Sequence, residues 1–312
     1  MSAIQLPTGF AAAALRPFFR LAFNSHLPIS VQRILLDLGA PLQTMPDGSV
    51  VRKTTLAGRP VERITVGATR RKTAVLFLHG GAYTVGSLAS HRSLAAHLSR
   101  ESGSVVYLLD YRLAPENPFP AGLEDAEAAY LELVTEHGYT PDQVAISGDS
   151  AGGGLTLATA ERLVHRHGVT PAALGLIAPW ADPTDRSSLR DRDVVINTAW
   201  AYDAAAKYLG GGDPSATGYA PLHDDLSGLP PTIIHIGLQE VLYPQAIALR
   251  DKLKVSGVDV RVTEFARLWH VAHAQASLVR EARDAVADLG KFLGTHLSGS
   301  GVSVEPGARN VL

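Results

Sequence analysis

The sequence lacks cysteine altogether among its 312 residues. Disulfide bonds, thiolate metal sites and cysteine nucleophiles are therefore excluded. An excess of one charge is also lacking, since 28 Lys and Arg stand against 30 Asp and Glu, a formal charge of −2. A chain without a basic surplus does not carry the electrostatic footprint of a nucleic-acid-binding protein. We therefore predict no nucleic-acid partner.

Long hydrophobic runs are missing as well. No stretch approaches the roughly 18 apolar residues that a membrane-spanning helix needs, so we predict no stable membrane insertion. The apolar segment 10–15 is followed by Arg16 and Arg20 before it could form the core of a signal peptide. We expect segment 10–23 to form an amphipathic helix packed on the protein, and its thin cationic face disfavours a membrane-surface helix. The expected location is cytoplasmic.

The apolar content of 46% is sufficient for a large buried core. Short apolar segments alternate with longer helical stretches and predict strands at 74–78, 105–109, 144–146, 174–177, 232–236 and 260–265. Strands that are apolar on both faces and separated by helices are typical of a parallel sheet covered on both sides. Two β-rich stretches between residues 50 and 66 predict an antiparallel hairpin in addition. We therefore predict an α/β fold with a mostly parallel central sheet covered by helices on both faces.

Two segments do not fit the alternation of strands and helices. They are long enough to fold over the carboxyl end of the sheet, where open α/β sheets bind ligands. We predict an N-terminal helical cap segment at 1–45 and a core at 46–297, with a second cap segment inserted at 186–219. Residues 298–312 are rich in Gly and Ser and predict a flexible C-terminal tail.

The strongest local motif is Gly-Asp-Ser-Ala-Gly at 148–152. It follows the predicted strand 144–146 and precedes a helical run at 155–164. This strand–turn–helix setting is what a nucleophile elbow needs, because the serine must sit on a sharp turn with its hydroxyl exposed. A glycine-rich turn with an incidental serine is the alternative, which the setting disfavours. We predict Ser150 as a nucleophile.

A second motif, His-Gly-Gly-Ala-Tyr at 79–83, follows the predicted strand 74–78. Small residues in such a loop can direct backbone N–H groups at a developing oxyanion, together with the N–H of Ala151 at a helix start. An ordinary turn or a phosphate-binding loop is the alternative. The later glycines of the dinucleotide-binding pattern are absent, which disfavours the phosphate loop.

A serine nucleophile needs a base and an orienting acid. In hydrolases built on this sheet the chain order is serine, acid, histidine, with each residue just after a strand. Glu240 follows the predicted strand 232–236 and His270 follows 260–265, so we predict these two. His273 is the alternative base. The alternative acids are Asp149, Asp182 and Asp185.

Several motifs together resemble the bacterial hormone-sensitive-lipase-like esterases of the α/β-hydrolase superfamily, over about residues 73–293. The motifs lie at 79–83, 86–87, 91–92, 110–116, 119–121, 125, 148–153, 179–180, 221–222 and 229–231. The resemblance implies an α/β-hydrolase fold with a helical cap. It also implies a triad of Ser150, Glu240 and His270.

The resemblance further implies oxyanion donors in the loop after the first parallel strand and at the elbow, namely Gly81, Ala82 and Ala151, and we predict Gly80 in the oxyanion hole as well. Tyr83 and Trp180 belong to the shared motifs and are expected in the substrate pocket. Two positions depart from the family pattern. Glu240 stands where Asp is more common, and Ala82 replaces the more common third glycine. A longer acid still accepts a hydrogen bond from histidine, and alanine still offers its N–H.

The implied function is a serine carboxylic ester hydrolase for short- to medium-chain esters, with a small-molecule ester substrate and no metal or organic cofactor. A lactone hydrolase or amidase would use the same triad, and a ligand-binding receptor on an inactive hydrolase scaffold would lack the base. The resemblance is compatible with a homodimer. In the segment 110–116 we expect Arg112 and Glu116 to form a buried pair that supports the oxyanion loop.

Overall fold

The computed structural model describes residues 5–67, 72–186 and 193–298. One sheet contains the strands β1 (Ser49–Leu56), β2 (Arg59–Val66), β3 (Ala74–Leu78), β4 (Val105–Leu109), β5 (Val144–Asp149), β6 (Leu174–Ile177), β7 (Thr232–Gly237) and β8 (Val260–Phe265). They lie in the order β1-β2-β4-β3-β5-β6-β7-β8. The pairs β1–β2 and β2–β4 are antiparallel and all other neighbours are parallel. The predicted mostly parallel sheet is confirmed.

Helices cover the sheet on both faces. The helices that contact its strands are α3 (Leu88–Ser102), α4 (Ala121–Thr135), α5 (Ala151–His167), α7 (Tyr243–Val255) and α8 (Arg280–His296). Three further helices, α1 (Thr8–Ala22), α2 (Ile29–Gly39) and α6 (Thr198–Leu209), lie in the two segments predicted as caps. Helix α3 packs against α8, and α4 packs against α5. Every residue of β3, β4, β5, β6 and β7 is buried. Apolar side chains on both sides of these strands therefore form the core, as their unbroken hydrophobic runs predicted.

The predicted strands all occur, and two of them are longer than predicted. Strand β5 runs on to Asp149 and β7 to Gly237. Their ends are not apolar, but Gly148 pairs with Leu176 of β6 and Gly237 pairs with Phe265 of β8. Hydrogen bonding to a neighbouring strand, and not hydrophobicity, decides where these strands end.

The predicted hairpin is formed by β1 and β2. Its turn places Ala57 at φ +48° and Gly58 at φ +74°. Positive φ at both central residues is the geometry of a type I′ turn, whose twist matches that of the strands it joins. The hairpin attaches to the parallel part of the sheet through β4.

The two segments predicted as caps contact each other. Nε1–H of Trp200 in α6 donates to Oε1 of Gln32 in α2 at 2.8 Å. The rings of Phe23 and Trp200 lie 4.5 Å apart, and the amide of Asn197 donates to the carbonyl of Phe23 at 2.6 Å. Residues 187–192 of the second segment and 299–312 of the predicted tail lie outside the described residues.

In the described part of the chain, no helix has both the length and the apolar character needed to cross a lipid bilayer.

Candidate active site

Ser150 lies in a sharp turn between β5 and α5. Its φ of +53° is in the left-handed region, which residues other than glycine rarely adopt. Its N–H donates to the carbonyl of Ile177 and its carbonyl accepts from the N–H of Trp180, both at 2.8 Å. A Cβ at Gly152 would lie 2.0 Å from the carbonyl oxygen of Leu78, so only glycine fits beside β3. The turn thus has the strand–turn–helix setting that the motif predicted.

The loop after β3 presents N–H groups at the same place. Its backbone passes through Gly81 at φ +114° and Ala82 at φ +51°. A Cβ at Gly81 would lie 2.2 Å from the carbonyl oxygen of Val85, which requires glycine there. Within 5–67, 72–186 and 193–298, the N–H groups of Gly81, Ala82 and Ala151 have no acceptor. Unpaired donors beside the Ser150 hydroxyl can bind a negatively charged oxygen.

Gly80 differs from the other predicted oxyanion donors. Its N–H donates to Oδ1 of Asp149 at 3.0 Å. A Cβ at Gly80 would lie 2.2 Å from Oδ2 of the same carboxylate. The N–H of Gly80 is therefore not available to a substrate, which corrects that prediction. The contact ties the loop to the elbow, and Oδ2 of Asp149 lies 3.4 Å from Nε2 of His91.

His270 and Glu240 are in direct contact. Nδ1 of His270 lies 2.8 Å from Oε2 of Glu240, and each side chain is 4% exposed. The other carboxylate oxygen accepts from the N–H of Gly237 at 2.6 Å. Because the carboxylate can only accept, Nδ1 of His270 must carry the proton. Nε2 of a neutral His270 is then free to accept a proton.

Burial and the pairing with Glu240 shift the pKa of His270 in opposite directions. Burial disfavours its charged form, but the hydrogen bond to Glu240 and the charge of that residue outweigh burial and raise the pKa of His270. Burial also raises the pKa of Glu240, and its bond to His270 offsets only part of that rise. A histidine with a raised pKa beside a buried carboxylate is suited to hold a proton during a reaction.

The alternative acids have other partners. Oδ2 of Asp182 lies 2.8 Å from Nε2 of His223, and Asp185 accepts from the amide of Gln245 at 3.3 Å. Asp149 accepts from the N–H of Gly80 in the loop after β3. The structure therefore places none of the three alternatives on His270.

The alternative base, His273, is buried away from the elbow. Its Nε2 lies 3.0 Å from Nδ1 of His235, whose Nε2 lies 3.0 Å from Oδ2 of Asp288. Burial lowers the pKa of His273 well below its usual value. His270 lines the cavity at Ser150, whereas His273 is not among the residues that line it.

Two cavities meet at Ser150. The larger has a volume of about 340 Å³ and contains His270 in its wall. The smaller has a volume of about 20 Å³. The residues common to both walls are Ala82, Ser150, Ile196 and Trp200.

The two predicted pocket residues have different positions. Trp180 lines the smaller cavity. Tyr83 lines neither cavity at Ser150. Its ring stacks on Tyr208 at 3.7 Å and is buried. Tyr83 is therefore a core residue, because the left-handed backbone of the loop turns its side chain toward α6, which corrects the prediction.

The expected buried pair of Arg112 and Glu116 is wrong. Arg112 pairs with Asp125 at 2.8 Å. Glu116 is 57% exposed at its side chain and pairs with Arg33 of α2 at 2.8 Å. Arg33 also donates to the carbonyl of Thr84 at 2.9 Å, so α2 contacts both Glu116 and the loop after β3. The motif at 110–116 could not by itself show that Arg33 of α2 contacts Glu116.

Sequence reasoning missed most of the wall of the larger cavity. The N-terminal segment supplies apolar side chains to it, among them Leu15, Phe18, Phe19, Phe23 and Leu36. The apolar periodicity of segment 10–23 was the available signal, and it indicated a packed face without showing what the face packs against. No group of His, Asp or Glu that could hold a metal ion occurs among the residues described.

Comparison with known proteins agrees with this geometry. Residues 75–274 match a family described by the alpha/beta hydrolase fold. The putative acetyl-hydrolase LipR of Mycobacterium tuberculosis is 38% identical over 285 residues, covering 90% of this chain and 91% of LipR. The acetyl-hydrolase of Streptomyces hygroscopicus is 40% identical over 225 residues, covering 71% and 75%.

Solved structures agree as well. A crystal structure of an esterase from the bacterial hormone-sensitive lipase family has a TM-score of 0.86 and 34% identity, covering 92% of this chain and 98% of that one. A hormone-sensitive lipase from a metagenome library has a TM-score of 0.89 and 30% identity, covering 95% and 100%. The resemblance found in the sequence is thereby confirmed, and the chain belongs to the bacterial hormone-sensitive-lipase-like esterases of the α/β-hydrolase fold.

Proposed function

We propose that this carboxylic ester hydrolase uses Ser150 as nucleophile, His270 as general base and acid, and Glu240 as the orienting acid. The observation that carries the proposal is the contact between Nδ1 of His270 and Glu240, at 2.8 Å, beside the cavity that His270 shares with Ser150. Relatives named acetyl-hydrolase and esterase support ester hydrolysis.

In the first half-reaction, Oγ of Ser150 attacks the carbonyl carbon and its proton passes to Nε2 of His270. The carbonyl oxygen becomes an oxyanion, which the N–H groups of Gly81, Ala82 and Ala151 stabilise. The bond from carbon to the alcohol oxygen then breaks. His270 gives its proton to that oxygen, and an ester of Ser150 remains.

In the second half-reaction, water takes the place of the alcohol. Its oxygen attacks the carbonyl carbon of the acyl-enzyme while Nε2 of His270 takes one proton. The bond to Oγ of Ser150 breaks, and His270 returns the proton to Oγ. The carboxylic acid leaves and the free enzyme is restored. Glu240 stabilises the imidazolium in both halves.

The proposal includes substrate size and the domain arrangement. A cavity of about 340 Å³ closed by α1 and α2 suits short- to medium-chain esters and excludes long-chain triglyceride. In this arrangement segment 1–45 is a cap, and 186–219 is a second cap segment on the core 46–297. The tail at 298–312, the cytoplasmic location and the homodimer stay predictions.

Hydrolysis of p-nitrophenyl acetate by wild type, Ser150→Ala and the exposed control Ser227→Ala tests the nucleophile. We expect Ser150→Ala to lose activity by roughly 10⁴-fold or more, and the control to keep it. A phosphorylating organophosphate should add one phosphoryl group to wild type and none to Ser150→Ala, as measured by the mass of the intact protein. Labelling of Ser150→Ala would overturn the proposal. If the organophosphate labels the wild type but the wild type cleaves no ester, lactones and amides are the substrates to test next.

A further inference from the structure

The two cavities at Ser150 differ in volume and in whether His270 lines them. We propose that the smaller cavity binds the acyl group and the larger one the alcohol group, so that the preferred substrates are acetate esters of apolar alcohols. This inference rests on the proposed roles of Ser150 and His270, and it divides the proposed size range between the two halves of the ester.

The position of His270 assigns the alcohol. A general acid must reach the oxygen to which it gives a proton. His270 and its neighbour Val271 line the larger cavity, and neither lines the smaller one. The leaving oxygen must therefore face the larger cavity, and the carbon chain attached to that oxygen continues into it.

The smaller cavity is left for the acyl group once the other substituents of the reacting carbon are placed. The tetrahedral carbon has four substituents: Oγ of Ser150, the oxyanion, the leaving oxygen and the acyl carbon. The oxyanion points to the N–H groups of Gly81 and Ala82, and the leaving oxygen points to His270. The smaller cavity is lined by Ser150 and Ala82 without His270, so it is the site left for the acyl carbon.

The size of the smaller cavity restricts the acyl group. Its volume is about 20 Å³, whereas a single water-sized group needs roughly 10–15 Å³. The methyl group of an acetyl ester fits this space, and we infer that each further methylene of a longer acyl chain is disfavoured. The wall is firmly held, since Trp180 and Leu242 are buried and Gln245 forms hydrogen bonds of 3.1 Å with both the N–H and the carbonyl of Asp182.

The wall of the larger cavity indicates the kind of alcohol. Phenylalanine and leucine side chains of α1 and α2 make up much of it, and Phe23 packs on Trp200, which lines both cavities. Alkyl and aromatic groups bury favourably on such a surface, while sugars and charged alcohols would lose hydrogen bonds to water. The volume of about 340 Å³ admits a chain of several carbons.

Pairs of isomeric esters test the assignment without changing the protein. Butyl acetate and ethyl butyrate share one formula, as do hexyl acetate and ethyl hexanoate, so each pair differs only in which side carries the chain. We expect kcat/KM to favour each acetate by roughly 30-fold or more, because one methylene that does not fit costs about 10- to 200-fold. Equal rates within a pair, or a preference for ethyl hexanoate, would overturn the assignment.

Two leucine variants provide a matched test. Leu242→Ala enlarges the smaller cavity, and Leu278→Ala changes only the larger one. We expect Leu242→Ala to raise the ratio of ethyl butyrate to butyl acetate turnover by about 10-fold, and Leu278→Ala not to raise it, because added space in the larger cavity does not admit a longer acyl group. The opposite pattern would overturn the assignment. If the wild type hydrolyses none of these esters, the proposed function itself is refuted. If Leu242→Ala does not fold, the rates of wild type on the isomer pairs decide the assignment.

Discussion

The N–H of Gly80 donates to Oδ1 of Asp149 at 3.0 Å and joins the loop after β3 to the last residue of β5. The two residues are 69 positions apart in the chain. Asp149 precedes the proposed nucleophile, and Gly80 precedes two proposed oxyanion donors. One hydrogen bond thus links the two motifs. Since a displacement of about 1 Å can cost a large factor in rate, we infer that Asp149 is a positioning residue.

Asp149→Ala removes the acceptor of the Gly80 N–H. We expect kcat for p-nitrophenyl acetate to fall about 10²-fold with a smaller change in KM, because the donors shift relative to Ser150. Asp149→Asn keeps an accepting oxygen and should stay within about 10-fold of wild type. Steady-state kinetics of both variants checks this. Equal losses would show that the charge of Asp149 matters and the hydrogen bond to Gly80 does not.

Glu240→Gln should lower kcat by roughly 10²- to 10⁴-fold. An amide donates to Nδ1 of His270, so Nε2 of the ring carries the proton and cannot accept one from Ser150. Glu240→Asp keeps the negative charge and should lose less activity than Glu240→Gln. Asp182→Asn is the matched control for the alternative acid and should behave like wild type. A Glu240→Gln enzyme as active as wild type would remove Glu240 from the triad.

The acid side of the pH profile should depend on Glu240 too. His270 acts as a base only when neutral, and Glu240 raises the pKa of His270 above its usual 6.5. In wild type, kcat/KM should therefore fall as pH decreases through a value above 6.5. In Glu240→Gln the charge is gone and burial lowers the pKa of His270, so the residual activity should persist to lower pH. Profiles that coincide would contradict the pairing.

Gly81→Ala should destabilise the fold by about 2 kcal/mol or more and abolish activity. A side chain at φ +114° is strained, and its Cβ would lie 2.2 Å from the carbonyl oxygen of Val85. Gly58→Ala is the control, since Gly58 has φ +74° and nothing within 4 Å of a Cβ. It should cost only about 1 kcal/mol and keep activity. Urea unfolding measures both, and equal losses would show that the contact with Val85 is unimportant.

Stability should fall below pH 6.5 because of buried neutral histidines. Burial, the largest cause, lowers the pKa of His79 to about 4, and it also lowers the pKa values of His235 and His273. The unfolded chain then binds protons that the folded one does not, so each such histidine costs about 1.4 kcal/mol per pH unit as pH falls from 6.5 toward its folded pKa. A urea midpoint at pH 5 equal to that at pH 7 would contradict this.

Predictions from the sequence succeeded where the cause is local. Unbroken apolar segments predicted buried strands such as β3 and β4, because a strand covered on both faces needs apolar residues on both. The elbow at Ser150 was predictable since glycines at fixed offsets meet the steric needs of one turn. The predictions that were wrong depend on partners elsewhere in the chain. They concern Gly80, Tyr83 and the pair of Arg112 and Glu116.

The strands, the sharp turn at Ser150 and the membership of the esterase family were all predictable from residue types and motifs. These follow from residue types at short spacings, which constrain backbone and side chains within a few residues. Three features became visible only in the folded chain: Asp149 accepts from the Gly80 N–H, Gln32 accepts from Nε1–H of Trp200, and two unequal cavities meet at Ser150. Cavity volume and hydrogen-bond partners depend on distances between residues far apart in the chain, and those distances are set only when distant segments pack against each other.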